Sequence, residues 1–214
     1  MNIIALTDNR LAALHRQVLN EIERRSRTAT DGHDALTIIY GNELAKRALV
    51  VAAASGHSLL LVGPPNCGKT MLRAAALDLG LAETFEAWPC PCGNRALRDA
   101  PCGCTVRQVE RHLRRLPTAD ITVEMVRPLE REMRTSGTTL ADMKEQIEAM
   151  SDYQGLDLDR ISGNLLRAAA KELGLDPNVQ QRIILVARTI ANLDQRRTIE
   201  PSHISEVINY RMLR

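Results

Sequence analysis

The octapeptide GPPNCGKT, residues 63–70, constrains this chain more than any other stretch. Gly63, Gly68, Lys69 and Thr70 satisfy the spacing GxxxxGK[ST]. The run SLLLV before it, residues 58–62, is short, apolar and bounded by Gly56 and Gly63, which predicts a buried strand. The run TMLRAAALDLG after it is rich in helix formers and stops at Gly80. Between a strand and a helix, consecutive backbone N–H groups curl around an anion and the helix N-terminus adds partial positive charge. Lys69 is placed to neutralise outer phosphate oxygens and the Thr70 hydroxyl to ligate magnesium. Gly63, Pro64, Pro65, Asn66, Cys67, Gly68, Lys69, Thr70 and Met71 are the candidate nucleotide contacts, with ATP and Mg²⁺ the implied cofactors. Asn66 suits the loop because Asn enters left-handed backbone more readily than most residues. Cys67 is either a small residue that fits or, beside a helix N-terminus, a thiol of lowered pKa. The bland alternative is a Gly-bearing turn that keeps the shape without the ligand.

Cysteines follow within about twenty residues of the lysine. Cys90-x-Cys92 and Cys102-x-Cys104 form two tight pairs separated by nine residues. Four thiolates match the ligand set of a closed structural zinc site, which has no open position for catalysis. The alternatives are two pairs of free thiols or a disulfide. The N-terminus MNIIALTDNR lacks a basic segment and a long apolar segment, so no signal peptide is expected and the cytoplasm is implied. A reducing compartment favours metal over disulfide. No apolar run approaches the length of a membrane span. The net charge of +2 is too small to imply a nucleic-acid partner by itself. Aromatics make only 2% of the 214 residues, so the core must be aliphatic.

Helical spacing is expected over residues 9–25, followed by a polar linker, SRTATDGHD. A second helix spans 42–54, with Leu44, Ala48 and Val51 on one face and Gly56 at its end. Residues 86–104, rich in Pro, Gly and Cys, read as irregular. Thr105 caps a helix with Val106, Val109, Leu113 and Leu116 on its apolar face. ITVEMV, residues 121–126, is the next strand. Thr139 and Asp142 open a helix carrying Leu140, Met143, Ile147 and Met150. Helices follow over 165–173, 179–193 and 201–212, with Pro177 and Pro201 near starts. The expected fold is α/β: a reduced P-loop core with few parallel strands and a C-terminal helical lid. Residues 1–35 form an extension and linker, 36–135 the shortened core with its cysteine insert, and 136–214 the lid.

Three blocks resemble a known family. IIYGNELAKRALVVAAASGHSLLLVGPPNCGKTML, WPCPCGNRALRDAPCGCTVRQVERH and QRIILVARTIANLDQRRTIEPSHISEVINYR are similar, in order, to the magnesium-chelatase-like AAA+ ATPases. The competence-protein branch is the nearest, related to the chelatase ATPase subunit and to MCM-type helicases. The resemblance covers nearly half the chain and identifies the blocks as phosphate loop, cysteine insert and lid.

The departures concern hydrolysis. In the family, a strand ending in an acidic pair lies between the phosphate-loop helix and the cysteine insert. Here LGLAETFE fills that gap. The family's polar sensor aligns with Trp88, its arginine finger with the region of Thr118, and its lid arginine with Asn178. Glu83, Glu86 and Glu124 are the carboxylates available as stand-ins, and none follows an apolar strand in the expected way. In the family's sheet the first strand lies between the fifth and the fourth. Loss of the second, third and fourth would leave SLLLV and ITVEMV as neighbours, with one edge covered by the N-terminal helix or MNIIAL.

The resemblance implies an ATP-binding protein with weak or no hydrolysis and no assigned catalytic residue. Self-association or mixing with a full-length AAA+ relative is implied, and no membrane. The alternatives are an active AAA+ motor acting on DNA and a nucleic-acid-associated zinc protein. For the last, Arg107, Arg111, His112, Arg114, Arg115, Arg127, Arg131 and Arg134 supply positive charge, with Glu110, Glu130 and Glu132 interleaved.

Overall fold

A computed structural model describes residues 41–95, 97, 100–127 and 138–211. The helix expected over 9–25, the linker after it, and Arg131 and Arg134 lie outside the described residues. Among the described residues the order is α1 (Glu43–Ser55), β1 (Leu59–Val62), α2 (Lys69–Asp78), β2 (Thr84–Ala87), α3 (Val106–Leu113), β3 (Ile121–Glu124), α4 (Leu140–Glu148), α5 (Arg160–Leu173), α6 (Pro177–Leu193) and α7 (Pro201–Asn209).

The strands form one parallel sheet in the order β2-β1-β3. Leu61 of β1 lies opposite Glu86 of β2 and Val123 of β3. Every residue of β1 is buried, as a central strand requires. The β1 edge is therefore covered by TFEA, not by an N-terminal segment, and Thr84–Ala87 is a strand across the junction of LGLAETFE, where no apolar strand is expected, and the run 86–104, which reads as irregular. In the order described for the resembled family, β2 takes the place of the fourth strand. The shortening thus spares a third strand.

One face of the sheet, with Leu59, Leu61, Ile121 and Val123, meets α1 and α2 and continues into the C-terminal helices through Ile183, Val186, Ile190, Ile204, Val207 and Tyr210. The other face carries a small cluster of Leu60, Val62 and Ala119, with Leu116 and Ala87 alongside. In α1 the buried stripe is Ala45, Ala48, Leu49, Val51 and Ala52, whereas Leu44 is half-exposed rather than on the core face. Val106 of α3 is likewise exposed and Val109 carries that helix's burial. Gly56 closes α1 in left-handed backbone, and Thr105 and Thr139 each close a capping box, with Gln108 and Asp142.

The helix expected over 165–173 starts earlier than its apolar spacing indicates. Asp159 caps α5 by accepting from the Ser162 N–H at 2.6 Å, so that helix begins at Arg160. Arg47 of α1 ties the C-terminal helices to the core, donating to Glu206 at 3.1 Å and Asp194 at 3.0 Å. The outer edge of β3 is occupied as well: the Thr122 N–H donates to the Tyr210 carbonyl at 2.7 Å.

Candidate functional site

The phosphate loop runs from the buried end of β1 to the first turn of α2. Asn66 and Gly68 take left-handed backbone, with φ of 60° and 96°. Lys69 is the first residue of α2 and is buried, its ammonium donating to the Gly63 and Pro64 carbonyls at 2.8 Å each. Gly63 is confined: the Cys67 sulfur and the Met125 carbonyl leave no room for a β-carbon there. Pro64 and Cys67 are buried, Pro65, Asn66 and Thr70 exposed, and Met71 packs against the main core. The structure thus brings all nine expected residues into one loop and first helical turn. Cys67 does not carry a lowered pKa. Burial pushes its thiol up, and the Lys69 ammonium 3.7 Å away only partly offsets this.

Asn42 is a loop-positioning residue that pattern reading missed. Its amide nitrogen donates to the Cys67 carbonyl at 3.3 Å and the Val126 carbonyl at 3.1 Å, and its amide oxygen accepts from the Val126 N–H at 2.9 Å. It thereby fastens the loop to the end of β3 from just ahead of α1. The Gly41-Asn42 pair before a helical pattern, both in left-handed backbone, was the available signal.

Glu86 faces the loop from β2. The Thr70 hydroxyl donates to its Oε2 at 3.1 Å, and the Arg73 guanidinium stands 3.8 Å from Oε1. Glu124 is the last residue of β3, half-buried and opposite Val62 of β1. Thr118 and Asp120 lie at the opposite end of the sheet, where Asp120 accepts from the Ser58 hydroxyl at 3.0 Å and Arg182 at 3.3 Å. Asn178 is exposed in the first turn of α6.

The four expected thiols converge. Cys90, Cys92, Cys102 and Cys104 have sulfurs all within 4.8 Å of one another. Cys90–Cys92 is 3.4 Å, and Cys90–Cys102 and Cys92–Cys102 are 3.6 Å. A tetrahedron with Zn–S bonds of ~2.3 Å has S···S edges of ~3.8 Å, so the donor set and its spacing fit zinc. These separations are far too long for disulfides. Cys92 ionises most readily: the Asn94 N–H first, then the Cys90 and Cys104 thiols, draw its pKa down to about 6. The Arg95 N–H donates to the Cys90 sulfur at 3.3 Å, the kind of outer contact that orients a metal-bound thiolate.

The thiol loop abuts the phosphate loop. A β-carbon at Gly93 would lie 3.5 Å from the Trp88 ring and 3.6 Å from Pro65. His112 of α3 donates from Nε2 to the Trp88 carbonyl at 3.0 Å.

Comparison with known proteins agrees with this arrangement. Residues 35–87 match the model of magnesium chelatase, subunit ChlI, and residues 123–211 match that of its C-terminal region. Together these ranges take in about two thirds of the chain. The chain belongs to the magnesium-chelatase-like family. That family has the P-loop AAA+ fold, of which this α/β core with three parallel strands is a reduced form. The thiol loop and α3 fall between the two matched ranges. Competence protein ComM of Haemophilus influenzae is 50% identical over 61 residues, 28% of this chain and 12% of that protein. The uncharacterized protein YifB of Escherichia coli is 58% identical over 40 residues, 19% of this chain and 8% of that protein. Its Salmonella typhimurium counterpart is 43% identical over 60 residues, 28% and 11%. The matched stretches therefore span about a tenth of these relatives.

Proposed function

We propose that this protein binds a nucleoside di- or triphosphate with Mg²⁺ through residues 63–71 and hydrolyses it weakly or not at all. The observation carrying this reading is the assembled loop: Lys69 buried at its centre, Thr70 at the helix start, and Gly63 and Gly68 allowing the backbone to close. Lys69 would meet phosphate oxygens, the backbone N–H groups after Pro65 would line them, and Thr70 would hold the metal. Magnesium, when bound, neutralises phosphate charge.

The hydrolytic apparatus is thinner. Among the described residues no buried strand ends in an acidic pair. Trp88 and Asn178 occupy the positions where the resemblance places the sensor and the lid arginine. A bound nucleotide would instead stabilise one conformation or one assembly, by differential affinity. The assembly partner we propose is another copy of this chain or a full-length family member, in the cytoplasm. We further propose that residues 36–135 act as the nucleotide-gripping unit and 136–214 as its lid. The four thiols hold one structural zinc.

Calorimetric titration with ADP and ATP, alongside a phosphate-release assay, tests the central claim. Binding without turnover is expected, and loss of binding in Lys69→Ala. Turnover abolished by that substitution would establish a motor instead. Absence of binding in the unaltered protein would remove the reading altogether.

A further inference from the structure

We propose that Glu86, on β2, supplies the carboxylate partner of the Mg²⁺ site that the shortened sheet otherwise lacks. This rests on the nucleotide-binding reading above and deepens it.

The geometry begins with Thr70. A hydroxyl has one proton and two lone pairs. That proton is donated to Glu86 Oε2 at 3.1 Å, which turns the lone pairs of Thr70 away from β2. An oxygen so oriented suits a hard cation, and Mg²⁺ retains several of its waters when it binds. A carboxylate at hydrogen-bond distance from the ligand hydroxyl can accept from such waters. Glu86 is held there by its strand, its backbone fixed in register opposite Leu61, one residue short of the end of β1. Its second oxygen stands 3.8 Å from the guanidinium of Arg73, one helical turn beyond Thr70, which draws on the same carboxylate. The carboxylate is also partly shielded, with 22% of its side chain exposed.

The charge has a consequence that a purely structural role does not. An anion beside the phosphate loop repels free nucleotide and favours the magnesium complex. Removing the charge while keeping the shape should therefore tighten binding without metal and weaken its enhancement by metal. Arg73 competes for Glu86, so removing Arg73 should act in the opposite direction. It lies on an exposed helix face, where substitution leaves folding undisturbed.

The test measures ADP affinity by calorimetry, in excess EDTA and in millimolar Mg²⁺. The proteins are the unaltered chain, Glu86→Gln, Arg73→Gln and Lys69→Ala, with thermal unfolding confirming each fold. Mn²⁺ bound in the ADP complex is read independently by electron paramagnetic resonance. In the unaltered protein Mg²⁺ should tighten ADP. In Glu86→Gln that enhancement should shrink by roughly tenfold, as for other outer-sphere partners of a metal, with affinity in EDTA unchanged or higher. The Mn²⁺ signal of the complex should weaken in parallel. Arg73→Gln should increase the enhancement. Equal enhancement in Glu86→Gln and the unaltered chain overturns the proposal. Should Glu86→Gln not fold, an unchanged or smaller enhancement in Arg73→Gln overturns it. ADP binding that needs Lys69 but ignores Mg²⁺ overturns it while leaving nucleotide binding intact. No ADP binding at all removes both.

Discussion

A β-carbon added at Gly63 would lie 2.7 Å from the Cys67 sulfur and 2.7 Å from the Met125 carbonyl oxygen. The first neighbour is a short side chain. The second is backbone at the end of β3, fixed by the Met125 N–H donating to the Val62 carbonyl at 2.7 Å. Neither yields without moving the loop. Gly63→Ala should therefore cost about 1–3 kcal/mol, in the range of overpacking, and weaken nucleotide binding beyond that loss. Chemical denaturation with a parallel ADP titration checks both; full stability in Gly63→Ala would mean the loop relaxes freely. Spacing alone made Gly63 legible, because the motif states where glycine must stand. The partners that enforce it were not, since Met125 approaches from a strand far along the chain. The Gly41-Asn42 pair marks a turn in the sequence, but the partners of Asn42 were hidden for the same reason, its three bonds reaching the loop and the residues just after β3.

Elements varied in legibility with their length and context. Capped helices such as α3 and α4 could be read from local residues, because Thr105 and Thr139 bond within their own first turn. β2 could not. TFEA has four residues, only Thr84 is buried, and Phe85 remains partly exposed. It is a strand because β1 offers an open edge, a tertiary cause no local pattern carries. Helix α7 adds a pH dependence. His203 is buried at its start, and its Nδ1 accepts from the Glu200 N–H at 3.0 Å. Burial, aided by Arg188, pulls its pKa below the usual 6.5, against the pull of Asp194, Glu200 and Glu206. Protonation would also destroy the acceptor. Below about pH 6.5 the unfolded chain takes up a proton that folded His203 resists, so stability should fall on acidification. His57, half-buried and 2.8 Å from the Thr189 hydroxyl, shifts the same way through desolvation. Asp142 and Asp159, held below the usual 3.8 by their capping bonds, stay charged across this window. Melting temperature should drop between pH 7 and 5, and His203→Asn, which keeps an acceptor, should drop less. Parallel curves would assign the dependence elsewhere.

At the scale of the whole molecule, the shortened sheet keeps its central strand paired on both sides and one outer edge occupied. β2 occupies one side of β1, and Tyr210 covers the outer edge of β3. The C-terminal helices, the sheet and α1 share one largely aliphatic core, reinforced by Arg47 bridging Asp194 and Glu206. The thiol loop has little apolar material of its own. Among its contacts are Gly93 near Pro65 and Trp88, and His112 on the Trp88 carbonyl. A metal that holds Cys90, Cys92, Cys102 and Cys104 together would also hold the wall beside the phosphate loop. Four crowded thiols without a cation cannot all ionise, so the loop must loosen or retain protons. Metal removal should therefore act at a distance. Purified protein should contain about one zinc per chain, lost in Cys92→Ser. Chelation should lower the melting temperature and weaken ADP binding several-fold, and added Zn²⁺ should restore both. A chelated protein that still melts at the same temperature and binds ADP equally well would show that the thiol loop supports neither the fold nor the nucleotide site. A loss of stability with unchanged ADP affinity would confine the metal to folding and break the link between the two loops.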